Sequence, residues 1–394
     1  PLNYASNRAV RLHTTREYES EILMDHRRTE QLYAVVSPGL ESVCAAELSA
    51  LEITPQEVTV GGIAFAGRLR DLYLANLWLR TASRIIVRFA EFRSRDFPDL
   101  YRRAHRLPWG RFIQPEASVA FRVTCHSSRL NHTTRIAETL ESALNQALGR
   151  STNPVGDNPQ LVLVRVVDDQ VVISIDSSGE LLHRRGYRQS VTVAPLRETL
   201  AAGVLMLLGW NGTIPLADPM CGSGSFLLEG ALLARQQAPG HDRSFAFMNW
   251  PGYREGLWNL LCSEAQRLAV DVPLAISGAD ENPKAVIAAK ANCQRCGVAG
   301  QVIIDQLRLS EQPTHDGQGL VVCNPPYGKR LDLGENPELY YAELGRQLQR
   351  AYPGWQLAIL CSNPSLVKAT ALPFRQIASL DNGGLNVGLF ATLT

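Results

Sequence analysis

From Gly212 onward the chain alternates short apolar runs with stretches of helical period, and this alternation restricts the fold more than any other feature. Strands are predicted at Ile214–Asp218, Leu274–Ala279, Gln301–Ile304, Leu320–Cys323 and Gln356–Cys361, with helical stretches between them. Strands linked through helices need crossovers, so the segment reads as a mainly parallel, Rossmann-like α/β sheet. Two further apolar runs, Phe374–Leu380 and Leu385–Leu393, are joined by Asp381-Asn382-Gly383-Gly384, which predicts an antiparallel hairpin at the sheet edge.

The first half is a different text. Leu32–Val36, a helical stretch at Pro38–Leu51 and an apolar run at Val58–Ala66 read as a small βαβ unit. An α+β segment follows, with helices predicted at Asp71–Leu79 and Thr133–Leu148 and strands at Ser83–Phe89, Ser118–Cys125, Gln160–Val167 and Gln170–Asp176. A further helical stretch is read at Pro195–Leu208, and residues 1–30 show no periodicity and are expected to form a flexible arm.

A chain of 394 residues with 45% hydrophobic content can bury a large core in two or three domains. It carries neither a membrane-length apolar run nor a signal-peptide pattern, so a cytoplasmic protein is expected. Eight scattered cysteines fit reduced thiols, and Cys293-x-x-Cys296 has no second ligand pair at zinc-ribbon spacing, so no metal is expected. Net charge is only +1, but between Arg80 and Arg135 twelve arginines face four acidic residues. Such a patch suits phosphates, and Arg93, Arg95, Arg102, Arg103, Arg106, Arg111, Arg129 and Arg135 are the candidate nucleic-acid contacts. An ordinary solvated face in an arginine-favouring proteome is the plainer alternative, since the chain has only four lysines.

Four polar motifs end the predicted parallel strands. Asp218-Pro219-Met220-Cys221-Gly222-Ser223-Gly224-Ser225 stands between an apolar strand and the helical run Phe226–Arg235. Its glycines permit a sharp turn and close approach of a ligand to a helix N-terminus, but it matches neither G-x-G-x-x-G nor G-K-[ST]. Asp280, with Glu281 beside it, ends the next strand, where a carboxylate can accept both hydroxyl protons of a ribose. Asp305 ends the third, and either accepts from an adenine amine or caps a helix. The fourth is Asn324-Pro325-Pro326-Tyr327-Gly328-Lys329-Arg330. Two prolines fix its backbone, so the Asn324 side-chain oxygen and the Pro325 carbonyl can share one target, an NH₂ with two hydrogens. That orients the nitrogen lone pair toward a methyl sulfonium. Tyr327 offers a ring on which a base can stack, and Lys329 and Arg330 would meet phosphates.

These residues resemble the amino-methylating class I methyltransferases, whose cofactor and catalytic motifs are D-P-x-C-G-S-G and N-P-P-Y. His183-Arg184-Arg185-Gly186-Tyr187-Arg188 and Ala194-Pro195-Leu196-Arg197-Glu198-Thr199-Leu200-Ala201-Ala202 look like the connecting segment of the THUMP-domain RNA methyltransferases, among which the chain is most similar to the 23S ribosomal RNA guanine-N2 enzymes. The resemblance implies S-adenosyl-L-methionine as cofactor and RNA, most of all large-subunit ribosomal RNA, as partner, with no membrane and with a monomer favoured. It implies an arm at 1–30, a ferredoxin-like unit at 31–70, a THUMP RNA-binding domain at 71–180, a connecting segment at 181–210 and a methyltransferase domain at 211–394. Asp218, Pro219, Cys221, Gly222, Ser223 and Gly224 would then hold the methionine portion, with Thr199 bordering it. Asp280 with Glu281 would hold the ribose and Asp305 the adenine, while Asn324, Pro325, Pro326 and Tyr327 would receive the target base.

Transfer RNA as substrate, adenine N6 or a release-factor glutamine as acceptor, and a non-catalytic ribosome-assembly role are the competing readings. The basic first half disfavours a protein substrate. Some family members carry a second methyltransferase domain, and with Thr394 as the last residue any such activity is expected elsewhere or missing. The insertion Ala238–Trp258 is read as either an RNA contact or a packing cap.

Overall fold

The computed structural model describes residues 28–188, 196–326 and 336–393. Its N-terminal half is one seven-stranded sheet. β1 (Glu30–Val36) leads through α1 (Glu41–Ala50) to the hairpin β2 (Pro55–Thr59) and β3 (Gly62–Gly67), then α2 (Leu69–Trp78) and the long β4 (Ala82–Arg93). α3 (Phe97–His105), a 3₁₀ turn at Trp109–Arg111, β5 (Val119–His126), α4 (Thr133–Ala147), β6 (Gln160–Val167) and β7 (Gln170–Asp176) complete it. The strand order is β2-β3-β1-β4-β7-β6-β5, and only β5 and β6 run parallel.

Two expectations are corrected here. The run Val58–Ala66 is not one strand of a βαβ unit, because it turns back at Val60-Gly61 and β3 pairs antiparallel with β1. Gly61 takes φ +91°, and a Cβ on Gly62 would lie 2.4 Å from the Tyr33 ring, so both positions need glycine. Nor does the backbone divide at residue 70. β4 pairs with β1 on one side and β7 on the other, which makes the sheet continuous. Glu30, expected in the arm, belongs to β1, while residues 1–27 lie outside the described residues.

The second half is α5 (Glu198–Leu207), β8 (Leu216–Asp218), α6 (Ser225–Ala234), α7 (Glu255–Leu268), β9 (Ile276–Ala279), α8 (Pro283–Arg295), β10 (Val302–Asp305), β11 (Leu320–Cys323), α9 (Pro337–Ala351), β12 (Gln356–Cys361), α10 (Pro364–Ala369), β13 (Phe374–Asp381) and β14 (Asn386–Thr392). The order is β10-β9-β8-β11-β12-β14-β13. The first five strands are parallel, and the expected antiparallel hairpin β13–β14 closes the edge. Successive strands are laid down outward from β8 on one side and then from β11 on the other. The crevice at their carboxyl ends is therefore the topological switch point. No described helix is long and apolar enough to cross a membrane.

The insertion Ala238–Trp258 packs the two halves together. Phe247 stacks on Tyr73 of α2 with centroids 4.4 Å apart, and Trp258 meets the same ring edge-on at 5.9 Å. Trp250 lies against Phe112 at 4.8 Å and donates its indole N–H to Gln160 at 2.8 Å. Burial of each such ring contributes on the order of 2–3 kcal/mol. Arg80 Nη2 donates to the Gln237 carbonyl at 2.7 Å and Arg185 Nη2 to the Arg80 carbonyl at 2.6 Å, so polar bonds reinforce the contact.

Candidate functional site

Four adjacent strands deliver the polar residues to one crevice. β8 pairs in parallel with β9 and β11, and β9 with β10, which places Asp218, Asp280, Asp305 and Asn324 at neighbouring carboxyl ends. After Asp218 the chain turns through Pro219 to Gly224 with Gly222 at φ +54° and Gly224 at φ +88°, the latter serving as N-cap of α6. Gly224 brings no side chain to cap that helix, which starts at the crevice with its first N–H groups. A Cβ on Gly278 of β9 would lie 2.3 Å from Leu227, which shows how closely α6 packs on the sheet beneath the loop.

Asp280 ties the loop to the next strand. Its Oδ2 accepts the Gly222 N–H and its Oδ1 the Asn282 N–H, both at 2.9 Å. Each carboxylate oxygen retains a second acceptor site, the pair that a vicinal diol needs. Asp218 is buried and accepts the Met220 N–H at 3.1 Å. Burial, opposed by that hydrogen bond and assisted by the nearby Asp280 charge, pushes its carboxyl well above the usual range. Burial likewise pushes the Cys221 and Cys323 thiols up, so these sulfurs are neutral packing groups rather than thiolates. Glu281 is exposed, 3.7 Å from Arg308. Asp305 is also exposed and caps no helix, since the next turn, Leu309–Glu311, starts after Arg308.

Asn324 follows β11 with its Oδ1 buried and, among the described residues, without a hydrogen-bond donor. An orphaned buried oxygen costs about 1–3 kcal/mol, a penalty that a bound donor would relieve. The turn is held from behind: Tyr341 of α9, fully buried, donates its hydroxyl to the Pro326 carbonyl at 3.0 Å. Sequence reasoning missed Tyr341, which lies 15 positions beyond its partner with no motif to mark it. Tyr327, Lys329 and Arg330 lie outside the described residues.

The connecting segment braces the loop from the opposite side. Arg188 Nε lies 3.2 Å from Glu198, and its Nη2 donates to Ser225, the first residue of α6. Arg185 pairs with Glu229 at 3.4 Å, and Tyr187 donates to the same carboxylate at 2.8 Å. Thr199 is buried at the start of α5, and Asn292 of α8 donates to the Ser223 carbonyl at 3.0 Å. Asn292 was also missed, because nothing in its local sequence distinguishes it from other helical asparagines.

The arginine patch is only partly a free surface. Arg80 and Arg84 are internal, Arg84 pairing with buried Asp176. Arg95 pairs with Asp169 at 2.8 Å, and Arg102 and Arg103 with Asp99 at 2.6 and 2.9 Å. Arg111 pairs with Glu30, and the Arg135 guanidinium sits 4.1 Å over Phe97. Arg93, Arg106 and Arg129 are exposed on the same half of the molecule.

Three family models match successive parts of the chain. Residues 185–386 match the family model of the RMKL-like methyltransferase domain, 31–86 that of the RlmL ferredoxin-like domain and 94–176 that of the THUMP domain. A putative RNA methyltransferase of Synechocystis sp. is 32% identical over 366 residues, covering 91% of this chain and 95% of that one. The ribosomal RNA large subunit methyltransferase K/L of Cellvibrio japonicus is 36% identical over 362 residues, 87% of this chain but 48% of its own, so this chain spans about half the length of that relative. Among solved structures, a putative methyltransferase, SMU.472, complexed with SAH superposes with a TM-score of 0.84 at 31% identity, covering 93% of this chain and 98% of that one. The architecture is a class I methyltransferase fold preceded by ferredoxin-like and THUMP domains.

Proposed function

The chain belongs to the family of RMKL-like methyltransferase domains, and from that premise we propose that it transfers a methyl group from S-adenosylmethionine to the exocyclic N2 amine of a guanine in 23S ribosomal RNA. The single observation that carries the amine chemistry is the buried Asn324 Oδ1, to which no described residue donates. The relatives named as RNA methyltransferases and the match of 94–176 to a THUMP domain support RNA as the substrate. A cytoplasmic monomer is the setting that this reading proposes.

The crevice fits the cofactor. The tight loop, Gly222 to Gly224, leaves room against the α6 N-terminus, and Asp280 keeps an acceptor site on each oxygen for the ribose hydroxyls. Asp218, held at high pKa by burial and by the Asp280 charge, is poised to ionise when a cation arrives, which suits the ammonium end of a methionine. Cys221, Ser223 and Thr199 would border that end, and Asp305 would accept the adenine amine. When bound, S-adenosylmethionine supplies an electrophilic methyl on a sulfonium. Asn324 Oδ1 accepts one amine hydrogen of the base and the Pro325 carbonyl the other, which aims the nitrogen lone pair and stabilises the positive charge that develops on it. Pro326, clamped by Tyr341, fixes the turn, and Tyr327 would stack on the base.

Asn324→Ala tests this assignment. Removing one preorganised partner of the developing charge is expected to lower methyl transfer by about 10²- to 10³-fold. S-adenosylhomocysteine affinity should stay within about threefold, a change under 1 kcal/mol. Undiminished turnover in that variant would refute the role of Asn324.

A further inference from the structure

α6 begins at the glycine loop and is gripped at both ends by residues from outside its own sheet. One face of the helix lies on the strands: a Cβ on Gly230 would come 2.6 Å from Leu216 of β8, and Leu227 packs on Gly278 of β9. Ser225, Glu229 and Leu232, spaced i, i+4 and i+7, form a stripe on the opposite face. That stripe meets the connecting segment and the N-terminal half.

At the amino end, Arg188 Nη2 donates to Ser225 Oγ, which donates in turn to the Leu196 carbonyl at 3.2 Å. One turn on, the buried Glu229 accepts the Tyr187 hydroxyl at 2.8 Å and pairs with Arg185 at 3.4 Å. At the carboxyl end stands Arg80, from the junction of α2 and β4. Its Nη2 donates to the Leu232 carbonyl at 3.3 Å and to the Gln237 carbonyl at 2.7 Å. These carbonyls flank Gln236, which takes φ +51°, the left-handed helix-end position usually given to glycine, while the Gln237 N–H returns to the Leu232 carbonyl. A cation there also complements the helix dipole. Arg80 is itself fixed, since Glu47 of α1 accepts the Arg80 N–H at 2.7 Å and the Thr81 N–H at 3.2 Å, and Arg185 Nη2 donates to the Arg80 carbonyl at 2.6 Å. Arg80 and Arg185 are both buried.

We propose that Arg80 is a positioning residue for cofactor binding: through it and the Arg185–Glu229–Tyr187 cluster, the ferredoxin-like unit sets where α6 lies along its axis, and with it the shape of the loop 222–224. A close-packed helix moves as a body, so loosening its far end is felt at the loop. Arg80 grips α6 roughly 15 Å of helix rise from that loop. The inference rests on the reading that the glycine loop holds the cofactor.

The test is calorimetric titration of the full chain with S-adenosylhomocysteine, together with amide hydrogen exchange over residues 222–228 in the absence of ligand. Arg80→Met and Tyr187→Phe are compared with Trp250→Phe, which removes the indole donor to Gln160 and so weakens the contact between the halves without touching α6. Arg80→Met should weaken the ligand about tenfold and Tyr187→Phe, the milder change should Arg80→Met not fold, about threefold. Arg80→Lys keeps a cation at the helix end and should restore most of the loss. Exchange should quicken in Arg80→Met and Tyr187→Phe but not in Trp250→Phe. In methyl transfer, KM for S-adenosylmethionine should rise with kcat unchanged. Affinity within about twofold of the unaltered chain in both α6 variants, or an equal loss in Trp250→Phe, would overturn the inference alone so long as Asp280→Asn weakens the ligand. If Asp280→Asn leaves affinity unchanged as well, the placement of the cofactor at the glycine loop falls and the inference with it.

Discussion

Asp280→Asn separates the role of a charge from that of a shape. The substitution is isosteric, but the amide keeps one acceptor oxygen where the carboxylate had two. Asp280 now accepts N–H bonds from Gly222 and Asn282, both at 2.9 Å, so one of these donors would face an NH₂ group. Losing one charge-assisted bond of this kind costs about 1.5–3 kcal/mol. If the bond holds the glycine loop in its binding shape and the carboxylate holds the ribose, cofactor affinity should fall roughly 10- to 150-fold. A second effect follows from the charge. Asp218 is held high by burial and by its proximity to Asp280, and a cationic ligand favours its ionised form, so cofactor affinity should rise with pH through the Asp218 titration. Removing the Asp280 charge lowers the Asp218 pKa and should move that inflection to lower pH. Calorimetric titration with S-adenosylhomocysteine and S-adenosylmethionine over a pH series measures both effects. A folded Asp280→Asn protein that binds within about threefold of the unaltered chain, with no shift of the inflection, would refute the reasoning.

Tyr341→Phe removes the donor that clamps Pro326 and leaves a carbonyl without that partner in a partly buried site, at a cost of about 1 kcal/mol. Turnover should drop about tenfold with cofactor affinity unchanged, and unchanged turnover would show that the clamp does not position the turn. His183 is held down at about 4 by burial, and then by Arg197, Arg184, Arg185 and Arg188. Its folded pKa lies below its unfolded value of 6.5, so the stability it contributes is present above pH 6.5 and is lost as pH falls toward about 4. Melting temperatures of the unaltered chain should therefore fall relative to His183→Gln across that window, and parallel curves would contradict the assignment.

What the sequence revealed, and what it concealed, follows from the range of the interactions. Asp218, Asp280, Asp305 and Asn324 each follow directly on an apolar strand, so period and adjacency alone bring them to one crevice. The hairpin at Val60-Gly61 was hidden because β2 is an exposed edge strand with almost no apolar alternation, and its neighbour β3 carried the whole hydrophobic signal. Arginine counts could not show that Arg80, Arg84 and Arg185 lie inside. Their partners, among them Asp176 and Glu229, are set by tertiary contact across dozens of positions. Tyr341 and Asn292 were invisible for the same reason. The insertion's aromatics announced burial, but whether against a neighbouring domain or against RNA depended on Tyr73 and Phe112, which only the fold brings to them.

The most direct test of the central claim is transfer of labelled methyl from S-adenosylmethionine to total RNA from a strain lacking this protein, followed by size separation and nucleoside analysis. The account requires label in the large ribosomal RNA, recovered as N2-methylguanosine and lost with Asn324→Ala. Label in small RNA, in N6-methyladenosine or in protein would contradict it.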